Sequence, residues 1–217
     1  MKPGDVILCY CEPNADIVSS QIQKVTSSEY CHAAIYYGNS LAAESTAKDG
    51  VKKGKIEKVC VRDVVARYKH VAILRQPDAW ASDDRIISLQ MFIDKVVANQ
   101  AKYNFSGVLS FKNRKELHEA NIQEKLEKFF ASQQAPIATD KKSYFCSEFV
   151  CDCFIAVGFI QPSAAVLFQS DTYSPGDLGK EPVFGTFWGY LTTNSGYIVP
   201  ETDHYYRAAT YDAIFGV

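Results

Sequence analysis

Cys146 is the cysteine whose surroundings best suit nucleophilic chemistry. It lies near the start of a predicted helix, for which Ser143 suits the N-cap position. Unpaired backbone N–H groups and the positive end of the helix dipole favour the thiolate, which is the form that attacks. The alternative is a buried structural cysteine, because Cys146 precedes Phe149 and Val150 by three and four residues and shares their inward stripe.

His32 is the histidine that best suits a partner role for this thiol. A thiolate catalyst needs a histidine to hold the ion pair and to protonate the leaving group. His32 lies inside the apolar run 31–37, whereas His70, His118 and His204 are expected to have structural or solvent-facing roles. The alternative for His32 is a core histidine whose ring is satisfied by backbone groups.

Glu44 follows His32 by twelve residues, on the second arm of a predicted hairpin. If the turn is centred on Gly38, residues 32 and 44 stand opposite one another with their side chains on one face. The carboxylate would then orient the imidazole, as in a nucleophile, base and orienter triad. A shift of one residue in register would move Glu44 off that face and leave it as a surface residue.

The elements that must position these residues follow from hydrophobic periodicity. Short strands are predicted at 5–9, 31–37, 41–46 and 71–74, with a loop near 48–50 and a weakly amphipathic segment at 17–25. Helices are predicted after Ser82, from about 114 to 132 with Ala135-Pro136 ending it, and from 143 to Gly158. Aromatic residues at 187–190 in the tail are expected in the core.

Composition excludes several classes of protein. The chain has 217 residues and a formal net charge of -2, which suits one domain over 1–217 and gives no basis for nucleic-acid capture. No apolar run is long enough for a transmembrane segment, and Val6-Ile7-Leu8 is too short for a signal-peptide core. We therefore expect synthesis in the cytoplasm without classical export, and seven cysteines that are mostly reduced.

Several motifs occur in a characteristic order along the first 180 residues: Gly4-Asp5-Val6-Ile7, the segment 32–38, Glu44 with Gly50-Val51, Tyr103-Asn104-Phe105, the segment 146–150 and the segment 173–178. This order, with histidine before cysteine, resembles the permuted branch of the NlpC-type papain-like cysteine hydrolases. The resemblance is to the YiiX-like proteins and, more distantly, to lecithin retinol acyltransferase. Residues 184–217 lie outside it, and we expect them to form an aromatic-rich extension of the same domain.

The resemblance implies a circularly permuted papain-like α+β fold, in which an antiparallel sheet packs against the helix that carries the nucleophile. It implies Cys146 as nucleophile, His32 as base and acid, Glu44 as orienting residue and Tyr103 as a substrate-binding residue. Asn104 stands where related proteins often carry Asp. Neither a cofactor nor a metal is implied.

The implied reaction is cleavage of an amide bond through a thioester, with a cell-wall peptide of peptidoglycan as the leading substrate. Such a protein could be an antibacterial effector delivered by a specialised secretion system, with an inhibitor or immunity protein as partner. Lipid or lipopeptide acyl hydrolysis or acyl transfer is the alternative on the same site. A non-catalytic domain, or a zinc module using Cys9, Cys11, Cys151 and Cys153, is the alternative from another class.

Overall fold

An eight-stranded sheet organises the computed structural model, which describes residues 1–12, 26, 28–47, 50, 53–132 and 141–215. The strand order is β7-β6-β4-β3-β2-β1-β5-β8. Neighbouring strands are antiparallel, apart from β6 and β7, which run parallel. The strands are β1 (Val6–Tyr10), β2 (Tyr30–Gly38), β3 (Leu41–Thr46), β4 (Lys55–Cys60), β5 (Val71–Arg75), β6 (Lys102–Tyr103), β7 (Ser143–Tyr144) and β8 (Thr186–Leu191).

Nine helices are described around the sheet, with 3₁₀ turns at Pro77–Trp80, Ser170–Thr172 and Pro182–Phe184. The architecture is therefore α+β, as predicted, and is compatible with a papain-like fold. The helices are α1 (Val61–Val65), α2 (Asp83–Ala98), α3 (Phe105–Leu109), α4 (Phe111–Ala120), α5 (Ile122–Ser132), α6 (Cys146–Ala156), α7 (Pro162–Leu167), α8 (Pro175–Lys180) and α9 (Tyr206–Phe215).

The central strands are apolar on both faces because both faces are covered. Val6, Leu8 and Ile35 belong to the main core, which includes the inward residues of α6. Ile7 and Ala34 point to the opposite face, where they join a second apolar cluster with residues of α1. His32 and Glu44 are separated from Ala34 and Ala42, respectively, by two residues along their strands, so they belong to this second face.

The β2–β3 hairpin forms as predicted, but its turn is not centred on Gly38. Its turn residues Asn39 and Ser40 have φ values of 51° and 62°, so the turn is centred later than Gly38. Glu44 therefore pairs with Ala34 and not with His32. The pairing moves by two residues, and because side-chain direction repeats every two residues, Glu44 stays on the face of His32.

Two helix boundaries differ from the prediction. The single helix expected over 114–132 is two helices, because the backbone bends at Asn121, whose side-chain amide donates to the carbonyl of Leu117 at 2.7 Å. The helix expected from Ser143 begins at Cys146, since Ser143 is part of β7 and pairs with Lys102 of β6. Predicted features at 17–25, 48–49, 51 and 135–136 lie outside the described residues.

Two of the seven cysteines are not reduced. Cys11 and Cys31 form a disulfide with their Cα atoms 5.8 Å apart, a separation usual for such a bond. The other five cysteines are free, in agreement with the expectation of mostly reduced thiols: Cys9, Cys60, Cys146, Cys151 and Cys153. The bond joins the chain just beyond β1 to the residue before His32.

Candidate active site

Cys146 is the first residue of α6 and is almost fully buried, with 2% of its surface exposed. At this position its backbone N–H has no partner within the helix. The residue before it, Phe145, occupies the N-cap position, and the Phe145 N–H donates to Glu148 Oε2 at 3.2 Å. The thiol therefore lies at an end of a helix whose other inward residues are packed in the core.

His32 is held between the thiol and a carboxylate. Its Nε2 lies 2.8 Å from Oε2 of Glu44. Cys146 is close enough to the ring to contribute to its raised pKa. Because Nε2 faces Glu44, the other ring nitrogen, Nδ1, is the one left for the thiol. The structure thus brings together the three residues that the sequence singled out.

Arg67 is a fourth member of this cluster that sequence reasoning missed. Its Nη2 donates to both oxygens of Glu44, at 2.7 and 2.6 Å. Glu44 is fully buried, so its charge requires compensation from both His32 and Arg67. A glutamate inside an otherwise apolar strand signals such a cation, but the sequence does not indicate which one.

Burial and hydrogen bonding together determine the charges of His32 and Glu44. Burial lowers the pKa of His32, but its hydrogen bonds to Cys146 and Glu44 outweigh burial and raise the pKa to about 9. Burial raises the pKa of Glu44, but the hydrogen bond and charge of His32, with the Arg67 guanidinium, lower it to about 2. At neutral pH the arrangement therefore favours an imidazolium held by a carboxylate.

Hydrogen bonds hold the backbone on both sides of Cys146. They come from β3, from the residue that follows β6 and from the loop before α8. The carbonyl of Tyr144 accepts from Ser45 Oγ at 2.6 Å and from the Asn104 N–H at 2.9 Å. Ser147 Oγ donates to the carbonyl of Tyr173 at 2.7 Å. These bonds fix the backbone on either side of Cys146, and Ser45 lies next to Glu44, so the two halves of the site share one scaffold.

An ionic cluster centred on Lys141 stabilises the first turns of α6. Lys141 Nζ lies 2.9 Å from Glu148 Oε1, 2.9 Å from Asp152 Oδ2 and 2.8 Å from Ser170 Oγ. Burial raises the pKa of Asp152 to about 6, although the Lys141 charge lowers it. Glu148 and Asp152 are four residues apart on an apolar helix, a spacing that indicates one shared cation.

Tyr103 lies near the thiol of Cys146, whereas the next residue, Asn104, caps a helix. Burial, followed by the nearby Cys146, raises the pKa of Tyr103, so its phenol stays protonated and able to donate. Asn104 is the N-cap of α3, and its Oδ1 accepts from the Gly107 N–H at 2.9 Å. The Asn104 side chain is therefore engaged in its own helix.

The remaining histidines have structural surroundings. His70 is fully buried, with Nε2 2.8 Å from Asp203 Oδ2, and His118 Nε2 lies 3.0 Å from the carbonyl of Leu167. His204 is exposed and packs against the ring of Tyr205. Of the zinc ligands considered above, Cys11 is committed to its disulfide, and no metal-binding group of three or more ligands occurs within the described ranges.

Two openings flank the cluster. An apolar crevice of about 20 Å³ contains Cys146 and is lined by Thr26, Val108, Phe111, Phe145, Ser147, Ser174 and Pro175. A larger cavity of about 340 Å³ includes Arg67 and Tyr68, and the Tyr68 ring stacks on His32 with centroids 6.0 Å apart. The cluster therefore has a small apolar side at the thiol and a larger polar side at the histidine.

Comparison with known proteins gives a distant relationship to a peptidase. The chain is 26% identical over 188 residues to the "Probable lipoprotein peptidase YaeF" of Escherichia coli (strain K12). This similarity covers 82% of the chain and 62% of the relative, so the chain spans less than two thirds of the relative's length. Comparison with models of known protein families finds no match.

In the part of the chain that the structure describes, no helix combines the length and apolar character needed to cross a membrane.

Proposed function

We propose that this protein is a cysteine hydrolase that cleaves amide bonds, with Cys146 as nucleophile, His32 as base and acid, and Glu44 as the orienting residue. The observation that carries the proposal is the buried Glu44–His32 contact of 2.8 Å. Cys146, at the start of α6, is close enough to the same imidazole to raise its pKa. A nucleophile, a base and a third group that fixes the base are the parts that this chemistry needs.

In the first half-reaction, the Cys146 thiolate attacks the substrate carbonyl carbon and forms a C–S bond. The carbonyl π electrons move to oxygen, and the unpaired Cys146 N–H is the natural donor to that oxyanion. Tyr103 contacts the substrate nearby as a neutral phenol. When the tetrahedral intermediate collapses, the C–N bond breaks and the imidazolium of His32 gives its proton to the leaving amine.

In the second half-reaction, neutral His32 takes a proton from water as the water attacks the thioester. The C–S bond breaks, the acid product leaves, and the thiolate and imidazolium are restored. Glu44 keeps Nε2 of His32 occupied in both steps, so that Nδ1 exchanges the proton. Arg67 keeps Glu44 ionised and fixed in place.

Peptide-like amides are the proposed substrate class, and a cell-wall peptide is the leading member of that class. The name of the distant relative, a probable lipoprotein peptidase, supports the peptidase class. The order of His32 before Cys146 fits the permuted papain-like arrangement that the sequence resembles. Delivery as an antibacterial effector, with an immunity protein as partner, belongs to this same proposal.

The lipid or lipopeptide acyl hydrolase is a second candidate, favoured by one observation. The crevice beside Cys146 is lined largely by apolar side chains, including Val108, Phe111, Phe145 and Pro175. An apolar acyl group would be desolvated there next to the thiol. The crevice holds about 20 Å³, so a long acyl chain requires these side chains to move apart.

The test combines product analysis with thiol labelling. Peptidoglycan fragments, lipopeptides and phospholipids are incubated with wild type, Cys146→Ala and Cys153→Ala, and products are identified by mass spectrometry. We expect a released amine or peptide that Cys146→Ala abolishes and that Cys153→Ala, which alters a buried thiol on the same helix, retains. Iodoacetamide should label Cys146 first, and His32→Ala should slow that labelling. Product formation that persists in Cys146→Ala overturns the proposal.

A further inference from the structure

The cavity next to His32 is built from three separate parts of the chain. The end of β1, the turn between α1 and β5, and the segment after β8 supply its walls. Its volume of about 340 Å³ lies within the range of small-ligand sites. The lining residues are Tyr10, Cys11, Glu12, Ala66, Arg67, Tyr68, Lys69, Thr193, Asn194 and Tyr197.

This cavity meets the proposed catalytic cluster on the histidine side. Two lining residues contact members of the cluster: Arg67 donates to Glu44, and Tyr68 stacks on His32. Cys146 lines the other opening, and the two openings have no described lining residue in common. Neither Cys146 nor His32 lines the cavity, so a leaving group bonded to a carbonyl at Cys146 would reach it by extending past the Tyr68 ring, which stacks on His32.

Two of the three described charged side chains that line the cavity are cationic hydrogen-bond donors, Arg67 and Lys69. Arg67 contacts Glu44 through Nη2, and its Nε and Nη1 groups have no hydrogen-bond partner among the described residues. Lys69 adds an ammonium group that is about half exposed and lies 3.8 Å from Glu12, a long and solvated ion pair. Arg67 and Lys69 outnumber the single carboxylate among the described lining residues, Glu12, so the cavity suits a ligand with acceptor oxygens.

The wall after β8 is held rigidly by a buried network. Tyr197, which lines the cavity, contacts His70 Nδ1 through its hydroxyl at 3.2 Å. His70 Nε2 in turn lies 2.8 Å from Asp203, which also accepts from the hydroxyls of Tyr30 and Tyr190. The C-terminal segment is thus fixed to the sheet, and the cavity is formed before any ligand enters.

We propose that this cavity is the leaving-group subsite, and that it takes a peptide amine whose carboxylate is bound by Lys69 and the free edge of Arg67. The inference rests on the proposed function, because it assigns the cavity to the product that His32 protonates. It also gives the C-terminal extension a role in selecting substrates, through Asn194 and Tyr197. The enzyme would then release short peptides with a free carboxyl terminus.

The test measures binding of the isolated leaving group. Alanyl-alanine and its carboxamide are titrated into the full chain, and dissociation constants are read from NMR chemical-shift changes. We expect the carboxylate form to bind about fivefold more tightly, the effect of one partly exposed charge pair of about 1 kcal/mol. Lys69→Met should weaken that preference, because Arg67 then binds the carboxylate alone, and Lys69→Arg should retain it. Lys112→Met, which removes an exposed lysine of α4, is the matched control and should leave the preference unchanged.

Three outcomes overturn the subsite: no binding of either dipeptide, equal binding of both, or a preference that is undiminished in Lys69→Met. These outcomes are separate from failure of the proposed function. Cleavage that depends on Cys146 without dipeptide binding would reject the subsite alone. Selective dipeptide binding by a protein whose products persist in Cys146→Ala would reject the cysteine mechanism and leave a peptide-binding cavity.

Discussion

Glu44 reaches His32 diagonally across two neighbouring strands: its Oε2 lies 2.8 Å from Nε2 of His32, while the residue that faces Glu44 in the ladder is Ala34. The small Ala34 side chain leaves room for the longer glutamate to extend toward the histidine. Arg67 approaches the same carboxylate from the turn after α1. One buried anion therefore serves two cations that come from different elements.

Replacing Glu44 with glutamine should damage the site more than its small change in shape suggests. The neutral amide leaves Arg67 and His32 without their shared anion, so we expect a loss of about 3–5 kcal/mol in the free energy of unfolding. We also expect a lower pKa for His32 and slower alkylation of Cys146. Urea unfolding and iodoacetamide kinetics measure these effects. Glu116→Gln, on an exposed face of α4, is the control, and equal stability of the two variants would contradict the expected dependence on Glu44.

The pH dependence of cleavage should have an alkaline limit set by His32. Its pKa is raised from an ordinary value of 6.5 to about 9, so the folded state binds this proton more tightly than the unfolded state. The associated stabilisation is fully present below pH 6.5 and is lost as pH rises through about 9. Cleavage should fall over the same upper range, because neutral His32 cannot protonate the leaving group.

Two measurements check this behaviour. Rate profiles from pH 5 to 11 locate the limit for cleavage, and urea unfolding at each pH locates the loss of stability. In His32→Asn the decrease in stability between about pH 6.5 and 9 should disappear. A cleavage rate that falls already below neutral pH as pH rises would show that His32 does not carry the proton as proposed.

Replacing Lys141 with methionine should destabilise α6 in a pH-dependent way. The variant leaves the carboxylates of Glu148 and Asp152 buried without their cation, at a cost of about 3–5 kcal/mol near pH 8. The pKa of Asp152 is already raised from 3.8 to about 6, so protonation stabilises the folded state as pH falls through this range. The loss should therefore be smaller at pH 5.

Thermal and urea unfolding of Lys141→Met at both pH values measure the difference. Lys112→Met, which removes an exposed partner of Glu116, should change stability by less than about 1 kcal/mol at either pH. A Lys141→Met variant as stable as Lys112→Met would mean that the ionic cluster does not support the helix.

Labelling should detect the Cys11–Cys31 disulfide directly. Protein denatured without a reductant should take up five iodoacetamide groups, and reduced protein should take up seven, as counted by intact mass. Cys11→Ser combined with Cys31→Ser should lower the free energy of unfolding by about 3 kcal/mol, because the bond closes a loop with a sequence separation of 20. Seven labels without reduction would show two free thiols.

The sequence was sufficient for features that depend on local pattern. The β2–β3 hairpin follows from two apolar runs around Gly38, Asn39 and Ser40, and the start of α2 follows from Ser82, which accepts from the Arg85 N–H. The register between β2 and β3 could not be predicted from the sequence, because it depends on which turn residues adopt positive φ. A shift of one residue in the turn centre moves the pairing by two.

Features that depend on tertiary contacts could not be predicted. Ser143 suits an N-cap, but its pairing with β6 extends the backbone there and delays the helix to Cys146. Arg67 joins Glu44 only because the turn after α1 folds over that face of the sheet. The Cys11–Cys31 bond likewise depends on how β1 and β2 align, which spacing alone does not reveal.

The distance in sequence between His32 and Cys146 has a consequence for how the chain acquires reactivity. His32 lies on an early strand and Cys146 on a late helix, so bringing them together requires a contact of high sequence separation, the kind of contact that slows folding. During synthesis, the histidine and its carboxylate emerge well before the thiol. In the proposed mechanism, a nascent or partly unfolded chain therefore lacks the pairing of Cys146 with His32. Accelerated alkylation of Cys146 would then report that both halves of the molecule have assembled.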